Sequence, residues 1–426
     1  MRFVRILMPA RHSVLHSFLA FVFALTGSFS VQAIPNATIN SGANSLNLGP
    51  SVEYYVDVSR SMKVAEIRKL DNALWQKSSN TNIGFGFTDA VYWFRVRVIN
   101  NSVDSEFLLH AGHPKFNYVD TYQYMGEKVI HHKVGVGVPK SEKQINHREH
   151  LAPFEIRPGG EAIFLIRAET TGTFLLPLRL WLTIPFFENA AFKNLWSGVL
   201  LGSWLLVMVF LVIVFSAYKH ISVISFLSFT FFFGIYQFSA IGLGRQFWGQ
   251  SIAHYDAIFV LSIGAATISM YPFLSNLLKL RQTSHTSEMA LRITAIAIFT
   301  LMVAYLFIDY AMVIPYLASL TIVMATLIVT VGGYAAIQGI RLALYSTVAC
   351  AILSAGVIIQ ALISLQLIQS TLVTDQVGAI SFIIMIITIS FVMSAELRRQ
   401  RQMQGEHILD KYRIERKQQI AQTKDL

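Results

Sequence analysis

In Val91–Asn100, Trp93, Arg95 and Arg97 alternate with Tyr92, Phe94, Val96 and Val98. Residues two apart on an extended chain share a face, so one side of this stretch is apolar and the other carries an indole and two guanidinium groups. The same alternation sets Arg167 and Leu165 apart from Phe164, Ile166 and Ala168. It also sets Arg179 and Trp181 apart from Phe174, Leu176, Leu178, Leu180 and Leu182. If the three stretches are neighbours, Trp93, Arg95, Arg97, Arg167, Arg179 and Trp181 form a joint ligand-binding surface. An arginine fork suits carboxylate or hydroxyl-rich ligands, and an indole face stacks on a sugar ring or a cation. A plainer arrangement stays open: the tryptophans pack at a sheet edge and the arginines pair with Glu106, Glu155, Glu161 or Glu169. Charged outward faces are ordinary on half-buried antiparallel strands.

Two further groups have chemical potential. Histidines occur in pairs at His110 and His113, His131 and His132, and His147 and His150. None is flanked by cysteine or acidic ligands at zinc-site spacing, so no metal and no cofactor is expected. The second group is Arg245, His254, Asp256, Asp309 and Asp375, with Gln237 and Trp248 nearby. These lie at the outer ends of apolar segments, where ionisable groups are costly unless they face a cavity or the interface. They either line an outward cup or snorkel to the membrane surface.

The elements that position these residues fall into two classes. Between Leu195 and Ala395 seven apolar segments recur: Leu195–Phe215, Ile221–Leu243, Ala257–Leu278, Met289–Ile308, Ile314–Gly339, Leu344–Ile368 and Gln376–Ala395. Each is long enough for a bilayer core of about 30 Å. Lys219, Lys279, Arg281, Arg292, Arg341, Arg398, Arg399 and Arg401 fall on one side. Cytoplasmic loops retain such residues, so the chain before Leu195 is expected outside and the C-terminus inside. From 51 to 187, short alternating runs are punctuated by Gly126, Pro153, Pro158-Gly159-Gly160 and Gly172, the pattern of an all-β sandwich. Met62–Leu74 has helical spacing, and 34–50 reads as an extended lead-in. Beyond Ala395 a basic helix, 396–426, carries a weak seam through Leu397, Arg401, Gln404, Ile408 and Tyr412. Such a seam suits either a coiled coil, and with it a homodimer, or a solvated helix.

Residues 1–33 begin with Arg2, Arg5 and Arg11, pass through an apolar stretch and end at Val31-Gln32-Ala33, the layout of a cleavable secretory signal. The net charge of +10 is concentrated in this segment, on one membrane edge and in the tail. It therefore points to topology and an anionic lipid bilayer rather than to a nucleic-acid partner. Cys350, the single cysteine, lies in the sixth apolar segment, so an exported domain has no disulfide framework and stands on packing.

The run Val91-Tyr-Trp-Phe-Arg-Val-Arg-Val-Ile-Asn100-Asn-Ser, then Tyr118-Val-Asp-Thr-Tyr-Gln-Tyr, Gly135 before a loop, and Ile163-Phe-Leu-Ile-Arg167-Ala-Glu-Thr stand between an export signal and seven spans. In that order they resemble the bacterial seven-transmembrane receptors with diverse intracellular signalling modules, with the second type of extracellular domain. The resemblance implies a jelly-roll-like sandwich in the periplasm that senses a small-molecule ligand, carbohydrate being one class. It also implies a seven-helix membrane α-helical bundle in the bacterial inner membrane that relays the signal to a cytoplasmic kinase or cyclase. No such module follows Ala395 here, so either the product is shortened or a separate partner docks on the tail.

A transporter is the competing reading, since seven spans with outer carboxylates could carry a solute or proton; against it, no midplane ionisable pair and no repeated interrupted helix are seen. An enzyme is not expected: His-Glu-x-x-His, Gly-x-Ser-x-Gly and a phosphate loop before Lys-Ser/Thr are all missing from the sequence.

Overall fold

The computed structural model describes residues 34–112, 114, 116–244, 251–339, 341–364, 368 and 376–424. The expected signal, Arg245, Trp248, Asp375 and His113 lie outside the described residues, as do the side chains of Gln404, Ile408 and Tyr412.

The N-terminal half is a β-sandwich. Its larger sheet runs in the order β4 (Gln76–Lys77), β3 (Glu53–Asp57), β6 (Val91–Asn101), β11 (Glu161–Glu169), β8 (Tyr118–Met125) and β9 (Lys128–Val134). β1 (Asn36–Asn40) joins β6 in parallel. The facing sheet contains β10 (Leu151–Glu155), β7 (Glu106–Ala111), β13 (Leu178–Leu182) and β2 (Ser45–Asn47). A separate ribbon pairs β5 (Ile83–Phe87) with β12 (Thr173–Leu176). The stretch read as a lead-in is thus built into the domain, β1 on one sheet and β2 on the other.

Between the sheets lie the apolar faces read from the alternation. Phe94, Val96 and Val98 of β6 and Phe164 and Ile166 of β11 meet Phe107 and Leu109 of β7 and Leu178 and Leu180 of β13. Burying one such side chain is worth about 1.5–3 kcal/mol, which holds the register of each strand: a slip by one residue would turn every core side chain outward. The Met62–Leu74 segment forms only a short α-helix at Val64–Ile67 and a 3₁₀ turn at Asn72–Leu74. Its apolar residues are used nonetheless, since Ile67 and Trp75 pack with Trp93 and Leu165 on the outer face of the larger sheet.

Seven long helices follow: α1 (Thr183–Tyr218), α2 (Ile221–Ala240), α3 (Ile252–Leu277), α4 (His285–Ala304), α5 (Tyr310–Ile337), α6 (Arg341–Ser364) and α7 (Val377–Lys424). All seven are long and apolar enough to cross a membrane. One differs from its sequence bounds in a way that matters: α1 starts twelve residues before Leu195, directly after β13. α7 continues past Ala395 into the basic tail as one helix, as the sequence leads one to expect. Glycines allow close approach within the bundle: a Cβ on Gly234 of α2 would fall 2.1 Å from the Trp204 ring of α1. Trp204 Nε1 in turn donates to the Thr230 carbonyl at 2.8 Å.

Candidate functional site

The larger sheet aligns chemistry-bearing side chains in rows across its outer face. Tyr55, Trp93, Arg167, Asp120 and Lys133 occupy successive strands at one level. Glu53, Arg95, Leu165, Tyr122 and His131 occupy the next. Each row is divided by what covers it. On the β3–β6 side the segment around Ile67 and Trp75 lies over the sheet, leaving Trp93 1% exposed and Arg95 6% exposed. Arg95 Nε donates to Glu53 Oε2 at 2.8 Å, Nη1 donates to Asn72 Oδ1 at 2.8 Å, and the guanidinium stacks on Trp75. Every part of Arg95 is thereby used internally.

The joint six-residue surface expected from the sequence does not form. Trp93 and Arg95 are buried, and Arg97 faces out to pair with Glu161 at 3.2 Å. Arg179 and Trp181 belong to the opposite sheet, with β13 paired to β7 and β2. The alternation correctly separated the faces of each strand, but β13 packs across the sandwich rather than beside β11. The plainer pairing holds for Arg97 with Glu161 and for Arg167 with Glu169; Arg95 instead uses Glu53.

Of the six, Arg167 borders an open cleft. Its Nη2 donates to Glu169 Oε2 at 2.8 Å, and Nη1 lies 3.7 Å from Asp120 Oδ2. Asp120 also meets His131 Nε2 at 3.0 Å, and His131 stacks flat on Tyr122 at 4.3 Å. Burial, then the Asp120 charge, pushes the Tyr122 hydroxyl up to about 12, so it stays protonated. Beside this network Tyr118, Asp120, Lys133 and Arg167 face the turn that carries Pro139 and Glu142 across a cleft of about 200 Å³. Gly137 makes the turn fit, since any Cβ there would lie 2.5 Å from the Tyr118 ring and hydroxyl. With both charge signs and a phenol, the cleft can hydrogen-bond hydroxyl and carboxylate groups. It falls below the roughly 300–1,000 Å³ of pockets for drug-sized ligands, which suits a small polar molecule or one unit of a larger one.

A second constellation, missed in the sequence, joins the sandwich to the helices. Glu149 lies 3.3 Å from Lys193 of α1 and 3.5 Å from His110 of β7. Burial alone would raise the Glu149 carboxyl, but the charges of His110, Lys193, His147 and Arg148, in that order, outweigh it and hold it at about 2. Burial lowers His110, which is neutral at physiological pH. The signal for this hub lay in His147-Arg148-Glu149-His150, a carboxylate set among three basic side chains. Around it Trp181 packs edge-on to Phe186 at 6.0 Å, with Leu108, Leu151 and Ala190.

Of the described residues of the expected outer cup, Asp256 takes part in such a junction. It accepts a hydrogen bond from Thr171 in the turn between β11 and β12 and lies near Tyr305 and Tyr310. Asn117 Nδ2 donates to Thr171 Oγ1 at 3.2 Å. His254 and Asp309 are exposed at helix starts and do not converge on it.

Comparison with protein families matches residues 49–182 to the model described as 7TMR-DISM extracellular 2 and residues 193–396 to 7TM diverse intracellular signalling. The first match ends with β13 at Leu182 and the second begins inside α1, at Lys193. Comparison with curated proteins finds no match.

Proposed function

The chain belongs to the seven-transmembrane receptors with diverse intracellular signalling modules, and from that premise we propose that its sandwich senses a small polar ligand, carbohydrate foremost, and drives a cytoplasmic kinase or cyclase partner. It is a receptor and not an enzyme. The cleft bounded by Arg167, Asp120, Lys133 and Tyr118 takes the ligand. The first 33 residues export the sandwich to the periplasm of a bacterium, the bundle sits in the inner membrane, and the tail of α7 is cytoplasmic. The Lys and Arg bias at Lys219, Lys279, Arg281 and Arg398–Arg401 supports that orientation.

One observation carries the reading: an unbroken path runs from the sandwich to the tail. β13 ends at Leu182 and α1 begins at Thr183, with no linker between them. At the far end of α1, Arg401 of α7 donates to the Ala217 carbonyl and lies over the Tyr218 ring, 4.4 Å from its centroid. A shift of the sandwich on the bundle is thereby imposed on α7. The ligand supplies the bias if it binds one arrangement better than the other. The tail helix then presents its state to a partner, and a second copy of the chain can pair along it.

The test uses full-length protein in nanodiscs, labelled at Ser216 and Gln402, screened against sugars and organic acids. A hit should raise thermal stability and change the label distance, and both effects should need about tenfold more ligand in Lys133→Ala. Proton-driven solute uptake by the same reconstituted protein, without any change in label distance, would replace the receptor by a transporter.

A further inference from the structure

A second cleft, of about 280 Å³, opens where the loop bearing His147 and Arg148 overhangs the beginning of α1. Its upper wall is polar, with His147, Arg148, Asn194 and Ser197; its lower wall is Gly198 and Leu201 of α1 and Leu243 after α2. Polarity thus changes to apolarity across one small space. Arg148 is 8% exposed and donates through Nη1 to Ser197 Oγ at 3.2 Å. Among the described residues no carboxylate lies within 4.0 Å of it, Glu149 being turned to Lys193 and His110. A buried guanidinium with a neutral hydroxyl for company is costly, and an anion in the cleft relieves that cost.

The depth of the cleft identifies which anion. Lys219 closes the far end of α1 in a left-handed cap. Counting about 20 residues back along the helix, the span of a bilayer core, places the outer hydrocarbon boundary near Gly198. Phe192 and Trp196, both half-exposed, sit just above it, where aromatic residues gather at the membrane interface. Below it Val199, Leu205 and Leu206 are open to lipid. The polar wall therefore lies at headgroup level and the apolar wall at the first carbons of the acyl chains.

We propose that this cleft binds the phosphate headgroup of an anionic phospholipid from the outer leaflet, with Arg148 on the phosphate and an acyl chain leaving over Gly198 and Leu201. The lipid is then a third component of the joint between sandwich and bundle, held one residue from Glu149. It is independent of the soluble ligand, which uses the cleft at Arg167 on the opposite sheet.

Native mass spectrometry on the full-length chain, with added phosphatidylglycerol or phosphate-free diacylglycerol, tests this. Phosphatidylglycerol should be retained about tenfold more tightly, the size of one charge-assisted contact. Arg148→Gln should abolish the preference. Gly198→Leu gives an answer even if that variant fails to fold, because a Cβ at Gly198 meets nothing within 4 Å and Gly198 lines the cleft; it too should lose the lipid. Excess inorganic phosphate should leave the lipid bound. Equal retention of both lipids, or an unchanged preference in Gly198→Leu, overturns the proposal. Displacement by inorganic phosphate overturns it as well, making the cleft a soluble-anion site.

Discussion

Lys193 Nζ lies 3.3 Å from Glu149 Oε1, and this contact ties the first helix to the loop that overhangs it. Both groups come from segments that read as unremarkable in sequence: an entry to an apolar helix and a loop rich in histidine. Together with Trp181 on Phe186 and Thr171 on Asp256, it fastens the sandwich to the bundle at separate points. A joint of that kind transmits orientation, which a flexible tether would not.

The Glu149 carboxyl, held at about 2, makes the joint acid-sensitive. It binds its proton more weakly folded than unfolded, so its stabilisation is complete above the unfolded value near 4.5 and disappears as pH falls through about 2. On the order of 3 kcal/mol is at stake. Thermal melts of the full-length protein between those pH values should show this loss in the native chain. Glu149→Gln should be destabilised already at pH 7 and show a smaller further loss.

Arg95→Ala should destabilise the sandwich by about 3–5 kcal/mol, because it leaves the fully buried Glu53 carboxylate without its guanidinium. Denaturation followed by tryptophan fluorescence measures it. Any loss of ligand response in this variant should track unfolding, in contrast to variants at the open cleft.

Lys133→Ala and Glu142→Gln change exposed side chains at the cleft beside Arg167. Stability should stay within about 0.5 kcal/mol, while affinity for a screened ligand should drop about tenfold for each lost charged contact. Calorimetric titration separates the two effects. Unchanged affinity would remove the cleft as the ligand site.

Gly234→Ala should push α1 from α2, since the new methyl would meet the Trp204 ring at 2.1 Å. A cost of about 1–3 kcal/mol is expected from overpacking. Gly202→Ala, whose Cβ meets nothing within 4 Å, is the neutral control. Melts of both variants in the same lipid decide the comparison.

How far the sequence carried differs between the elements. The faces of β6, β11 and β13 were legible because side-chain direction on a strand is a local property of period two. Which strands are neighbours was not, so Arg179 and Trp181 were grouped with Trp93 and Arg95 although they line the other sheet. The helices were legible because membrane spans must satisfy their backbone internally and are therefore long and apolar. The start of α1 was less so, for Thr183–Asn194 includes Glu188 and Lys193 and loses its apolar signal where it leaves the lipid.

By itself, then, the amino-acid order determined a β-sandwich, seven spans and the in-or-out sense of individual strand residues, because periodicity and segment length act over a few neighbouring positions. The tertiary structure alone decided that Trp93 and Arg95 are internal, that Arg167 opens on a cleft and that Glu149 meets Lys193. Those outcomes depend on which distant segments pack together, and long-range packing is chosen by the whole core rather than by any one stretch of chain.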